Sequence, residues 1–452
     1  MTIQIDRELL APARDDGFLE FRQQYYADAS ATRRMERREL TNESDFHTGR
    51  WERESPDNGQ SWGEWRDVYR EDFAKIPGGE RFIEYGERNF HHPEYKHCIT
   101  LWMERLFVGD HHQAYRRLWD GDANSFYDHS FITVRADDGE KLAEQLLAYE
   151  EGPVSGGLEN PDYYRRNCAY ALGNIALAAN GDILAAMSVP TRVCCAISGI
   201  DVKEVFPSCP DLTSGLLVVR GAWNRKAQRY DLTFSRPVVI SDWQSSRGIE
   251  EPTIVELPGG RIVVVFRGSN LNFPAWHTRI EPGTPGFKWY TCSDDGGLTF
   301  NVPRPWHFDS GEVIYSSSSF SRLFKSIQNR RCYWIGNITD PTRIHGNYPR
   351  YPLQIVELDP RYGAALKNTL TIIDDRRPGE SELLQLSNFG LLQDRVGLGA
   401  EVYLAKLGQF ASDGRNGYKG EAWKYRITFS QGGTADEFHF GKDRPLSGRA
   451  GK

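Results

Sequence analysis

Ser55-Pro56-Asp57-Asn58-Gly59-Gln60-Ser61-Trp62 recurs far downstream as Ser293-Asp294-Asp295-Gly296-Gly297-Leu298-Thr299-Phe300, so both copies read Ser-x-Asp-x-Gly-x-(Ser/Thr)-aromatic. Such a segment makes a tight turn between two strands. Asp accepts hydrogen bonds from backbone N–H groups just downstream, and Gly supplies a positive φ. The hydroxyl residue adds a local bond, and the aromatic folds back as a plug under the turn. One copy would be an ordinary hairpin. Two copies, each beside a strand-like run, predict a protein built of blades.

A recurring phrase runs outward from these turns: a polar entry, a β-rich run, a Gly-containing turn and a second apolar strand. Its clearest instance is Glu250-Glu251-Pro252 through Leu257-Pro258-Gly259-Gly260 to Val263-Val264-Val265-Phe266-Arg267, a hairpin. Further instances span 172–187, 316–336 and 384–404, with a fifth over 89–102. The entries near residues 90, 170, 250, 316 and 385 lie about 65–80 residues apart, the spacing of repeated blades. A first blade precedes residue 65 and ends in the first turn motif. Asp137-Asp138-Gly139 reads as a degraded copy. The expected fold is all-β, a propeller of six blades with seven left open, forming a single domain over 1–430. Residues 431–452, rich in Gly and Asp, are expected to fray. Two stretches break the β pattern: 109–119 as a short helix between blades, and 141–151, whose Leu and Ala spacing predicts a helical cap on a blade edge.

Composition agrees with sheets. Trp, Tyr and Phe number 12, 21 and 23 among 452 residues, and aromatics favour strands. Net charge is −7 with basic residues dispersed, which argues against nucleic acid as a partner. No apolar run is long enough to span a membrane, and the first residues lack the apolar core of a signal peptide. Seven Cys without paired spacing read as reduced thiols of a cytoplasmic protein.

In a blade-built ring the innermost strands line a channel, and ligands bind at its mouth. The strand heads therefore nominate the site: His91 and His92, Asn167 and Asn174, Glu250 and Glu251, 317–322, Arg350 and Tyr351, and Asn388. Alternation lets only one of Glu250 and Glu251 face the channel, and Pro252 should hold Glu251 extended. That carboxylate reads as a general base or nucleophile support, or else as an inter-blade ion pair. Arg165, Arg166, Arg192, Arg267, Arg322 and Arg350 are candidate carboxylate binders, Arg350 foremost because its loop carries two prolines and flanking Tyr. Inter-blade pairing is their bland reading. Asp128 beside His129 offers an acid–base pair. The early histidines lack a metal-ligand spacing, so no metal or cofactor is expected.

The two turn motifs, the hairpin 251–267 and Tyr348-Pro349-Arg350-Tyr351-Pro352 resemble the sialidase-like superfamily, whose repeat is the Asp-box or BNR repeat. The resemblance covers most of residues 50–430. It implies a carbohydrate partner, three Arg on a substrate carboxylate, a Tyr nucleophile paired with Glu, and an Asp acid/base. The chain departs from the family's Arg-Ile-Pro motif, since Thr278-Arg279-Ile280 continues into Glu281. Three functions follow as expectations. The first is an exo-acting glycoside hydrolase on a terminal acidic sugar, with Glu250 or Glu251, Tyr351 as nucleophile and Arg350 as anchor. The second is a polysaccharide lyase using the early His, Asn174 and Arg350. The third is a glycan-binding propeller without catalysis. Oligomeric state is left open.

Overall fold

A computed structural model describes residues 3–43, 45–119, 125–209, 213–272, 277–412 and 417–429. They form six antiparallel sheets. Strand β1 (Ile3–Ala11) is set aside for the last of them. Blade I holds β2 (Leu19–Tyr26), β3 (Arg34–Thr41), β4 (Gly49–Ser55) and β5 (Arg66–Asp67). Blade II holds β6 (Phe73–Ile76), β7 (Gly79–Tyr85), β8 (Phe90–His92), β9 (His97–Val108), β10 (Phe126–Ala136) and β11 (Lys141–Leu146). Blade III holds β12 (Ile175–Leu177), β13 (Ile183–Pro190), β14 (Ser214–Asn224) and β15 (Arg229–Phe234). Blade IV holds β16 (Glu250–Glu256), β17 (Ile262–Arg267), β18 (Lys288–Ser293) and β19 (Arg304–Pro305). Blade V holds β20 (Arg322–Lys325), β21 (Cys332–Asn337), β22 (Leu353–Glu357) and β23 (Thr371–Asp374). Blade VI holds β24 (Phe389–Gln393), β25 (Ala400–Ala405) and β26 (Ala422–Phe429), and β1 pairs with β26 as its outer strand. The chain is a six-bladed β-propeller closed by its N-terminal strand.

The ring is apolar where strands carry apolar residues on both faces. In β17, Ile262, Val264 and Phe266 pack toward blade III, whereas Val263 and Val265 pack toward blade V. Alternate residues point to opposite faces, so an unbroken Ile-Val-Val-Val-Phe run is the sequence of a strand buried twice. First strands meet at the channel, where β16 packs against β12 and β20. Asn174 stitches blade III to blade IV, accepting from Thr253 Oγ1 (2.7 Å) and Ile254 N (3.0 Å) and donating to the Ile254 carbonyl (2.7 Å). Thr253 Oγ1 in turn accepts from Leu323 N of blade V (2.8 Å).

Because the strands are antiparallel, first and third strands begin on one face of the ring, here the top. Both turn motifs join a third to a fourth strand and lie at the bottom, as does the 137–139 turn between β10 and β11. The two motifs are superposable in bonding. Ser61 N and Oγ donate to Asp57 (2.7 and 2.5 Å), and Thr299 N and Oγ1 donate to Asp295 (3.0 and 2.5 Å). Phe300 packs on the core between blades III and IV.

Two expectations change and one holds. Residues 141–146 are strand, not a helical cap: β11 is the outer strand of blade II, paired with β10. The inner strand of blade II begins at Gly79 and breaks after Tyr85, so His91 and His92 lie at its bottom end, not its head. The helix expected near 109–119 is present as His111–Trp119, on top between β9 and β10. The tail from residue 431 lies outside the described residues.

Candidate active site at the top of the channel

Glu250 and Glu251 open β16 at a bulge. Pairing jumps from Glu250↔Arg267 to Thr253↔Val265. Glu251 takes φ +46° instead of the extended conformation a following proline favours. Alternation is thereby broken, and both carboxylates meet one guanidinium. Arg267 Nε donates to Glu250 (3.2 Å) and Nη1 to Glu251 (2.9 Å). Arg247 Nη2 holds the other oxygen of Glu250 at 2.7 Å. The expectation that only one Glu faces the site is corrected: the bulge turns both to it. A left-handed non-glycine residue carries backbone strain, which persists only where its surroundings enforce it.

Two further basic side chains stand in the field of Glu251 with no carboxylate of their own among the described residues. Arg350 is buried and donates only to neutral oxygens, those of Asn347 (3.0 Å), Gln385 (2.6 Å) and Ser318 (2.9 Å). Burial, and then the Arg267 charge, push its guanidinium down to about 10, so it stays cationic at neutral pH. Lys288, at the head of β18, is fully buried and donates to the Ser319 carbonyl. Burial, then Arg267, push its amine down to about 7. Three N–H groups of Arg350 are used, which leaves two of its five to receive an anion.

Tyr170 faces the same cluster. Its hydroxyl has no hydrogen-bond partner among the described residues. Burial first, and then the Glu251 charge, hold its pKa well above 10. Arg105 clamps Asp128 bidentately (2.7 and 2.8 Å) and donates to Tyr115 (2.9 Å), whose hydroxyl donates to the Asp45 carbonyl (2.9 Å). Asp45 is exposed, left-handed at φ +60°, and lies within electrostatic reach of Arg247, Arg350 and Tyr418. On the same face outside blade IV, Trp243, Phe287 and Trp289 line an open cleft of about 480 Å³ that none of these charged groups enters.

The other nominated residues lie elsewhere. Tyr351 is buried, its hydroxyl between Arg343 (2.9 Å) and Glu382 (2.8 Å), so it is not gathered with the Glu pair. His129 is buried inside blade II against Tyr163, with Nε2 donating to the Tyr163 and Arg166 carbonyls (3.0 and 3.1 Å). Asp128 points to the opposite face, toward Arg105, so the two do not form an acid–base pair. His92 donates to the Gly181 carbonyl (2.8 Å) at the bottom, beside His91. Arg192 bonds the Cys209 carbonyl (2.9 Å), and Arg322 the Gly173 carbonyl (2.8 Å) with Glu87 at 3.6 Å. Asn174 is the inter-blade stitch. Asn388 is half-buried at the head of β24, its carbonyl accepting from Ala405 N (3.4 Å). His91, His92 and His129 are therefore not gathered with Arg350. Lys288 was legible in principle, since third strands start on the same face as first strands; Tyr170 and Asp45 sit in connections that carry no periodic signal.

No family model and no curated protein matches the chain. Among solved structures it is similar to a protein of unknown function from Dyadobacter fermentans, with TM-score 0.54 and 13% identity over 94% of this chain and 99% of that one. It is also similar to a Hadza microbial sialidase (TM-score 0.49, 8% identity, 93% and 68% covered). An alpha-L-arabinofuranosidase from Fusarium graminearum is a third (TM-score 0.46, 12% identity, 93% and 96% covered). At 13% identity the likeness to the Dyadobacter fermentans protein is one of fold alone.

Proposed function

We propose that the top of the channel is the active site of a glycoside hydrolase acting on a carboxylate-bearing terminal sugar. One observation carries this reading: Glu250, the strained Glu251 and Tyr170 share a mouth with Arg350, a buried cation that has no carboxylate of its own. Burying an unpaired cation is costly, and an anionic ligand would offset that cost. Arg350 is the anchor for the sugar carboxylate. Tyr170 is the nucleophile and Glu251, already in its field, takes the phenolic proton as the oxygen attacks the anomeric carbon. Asp45, exposed across the mouth, delivers a proton to the departing oxygen. Water then releases the sugar and restores Tyr170.

The test is release of free sugar from sialylated and uronate-capped oligosaccharides, followed by chromatography. Tyr170→Phe and Glu251→Gln should each lower kcat about 100-fold or more. Unaltered turnover in either variant sinks the assignment. Ultraviolet absorbance from an unsaturated uronate would mean elimination in place of hydrolysis.

A further inference from the structure

A second cluster on the top face lies outside this machinery. Glu43, in the β3–β4 connection, meets His111 and His112 at the start of the helix between β9 and β10, and one ligand atom from each lies within 4.8 Å of the others. His112 Nδ1 is 2.7 Å from Glu43 Oε2. His111 Nε2 is 3.7 Å from Glu43 Oε1. Those last two atoms are both buried, and neither has a hydrogen-bond partner among the described residues. His111 is only 7% exposed, so its unpartnered nitrogen is a buried group aimed at a buried, unpartnered oxygen.

We infer that Glu43, His111 and His112 hold a divalent transition-metal ion, zinc by the softness of the donor set. The ring of His111 is already oriented for it. Its Nδ1 donates to Glu80 at 2.6 Å, and Glu80 also accepts the His111 backbone N–H at 3.0 Å. A carboxylate that fixes the outer nitrogen leaves Nε2 as the free lone pair, which is how metal-binding imidazoles are held. Phe46 stacks on the same ring with centroids 3.9 Å apart and stops it turning. The spacing fits as well. Two ligands about 2.1 Å from a tetrahedral ion stand about 3.4 Å apart, near the observed 3.7 Å between His111 Nε2 and Glu43 Oε1. Two imidazoles and one carboxylate suit zinc and its neighbours and do not suit calcium or magnesium, which take oxygen ligands. Three protein ligands leave a fourth position for water. The ion would pin the β3–β4 connection, which carries Asp45, to the helix that carries Tyr115.

Titration of the chelator-treated full chain with zinc chloride tests this by calorimetry, with cobalt(II) as a visible probe. One ion per chain is expected. Glu43→Gln and His111→Gln should abolish the tight site, and Glu80→Gln should weaken it about 10–100-fold. The cobalt spectrum should show a low-symmetry N/O site without a thiolate charge-transfer band. Half of the His112 side chain is exposed (51%), so His112→Gln keeps the test available if a buried variant fails to fold. Zinc affinity unchanged in His112→Gln, a thiolate band, or equal affinity for calcium would each overturn the inference.

Discussion

Lys288 shows how a single side chain reports on the site. Its amine is fully buried and lowered from 10.5 to about 7, by burial first and by Arg267 second. Between those two pH values the unfolded chain binds a proton that the folded chain does not. Stability therefore rises with pH across the window and is lost as pH falls from 10.5 toward 7, with no further change below. Lys288→Met should remove that slope: the difference between variant and wild type, measured by urea unfolding from pH about 6 to about 10, should favour Met most at the acid end. A difference independent of pH would mean that Lys288 is not held neutral. Arg350 makes a separate prediction. Arg350→Ala should raise KM about 10–100-fold for a carboxylated glycan and much less for its neutral counterpart, since a charge-assisted bond is lost only in the first case. An equal rise for both would reduce Arg350 to a loop-holding residue. Glu250, Glu251 and Arg350 could be read in the sequence because a polar residue at the head of an apolar strand is conspicuous. The pairing of both Glu with Arg267 could not, because the bulge at Glu251 defies the local rule for a residue before proline.

At the scale of elements, the repeated turn is stabilised by its Asp. Hydrogen bonds from Ser61, side chain first and backbone second, lower the Asp57 carboxyl from 3.8 to about 2. The stabilisation is present above the ordinary carboxyl range and disappears as pH falls through about 2. Asp57→Ala should thus lower the melting temperature at neutral pH, and its deficit against wild type should shrink on acidification from pH about 4 to about 2. A constant deficit would assign the effect to backbone conformation and not to the charged acceptor. Asn174→Ala tests the channel stitch. It leaves the buried N–H of Ile254 without its acceptor, and about 1–3 kcal/mol of stability should be lost in denaturant unfolding. A loss well under that range would mean that packing alone joins blades III and IV. The turns and the hairpin of blade IV were legible because their chemistry is local. The stretch 141–151 was misread because Leu and Ala at helical spacing also fit a half-buried outer strand, and only pairing with β10 decides between the two.

The whole ring is sealed in two different ways. Apolar clusters join blade II to III, III to IV, IV to V and V to VI. Blade I breaks the series, for its second strand reads Arg34-Met35-Glu36-Arg37-Arg38-Glu39 and is largely buried nonetheless. Toward blade II, Arg37 and Arg50 meet Glu39, Glu52, Asp72 and Glu84. Toward blade VI, Arg34 contacts Glu401 at 2.8 Å and Asp394 at 2.9 Å, and Tyr403 donates to Glu401 at 2.5 Å. The blade count was legible from the phrase spacing, whereas this ionic seam was not, because a charged strand reads as solvated until its neighbours are known. The seam joins the first blade to the last, so its strength bears on closure of the ring. Arg34→Met takes the guanidinium from both Glu401 and Asp394 and should cost about 3–5 kcal/mol in denaturant unfolding, whereas Glu401→Leu leaves Arg34 paired with Asp394 and should cost less. The double variant removes both charges and should cost clearly less than the sum. Additive losses would show that the two side chains act independently, and closure would then rest on the pairing of β1 with β26. Coupled losses, with one unfolding transition throughout, would mean that the ionic seam and the apolar seams fail together, as expected of a ring that cannot open at one interface without exposing the next.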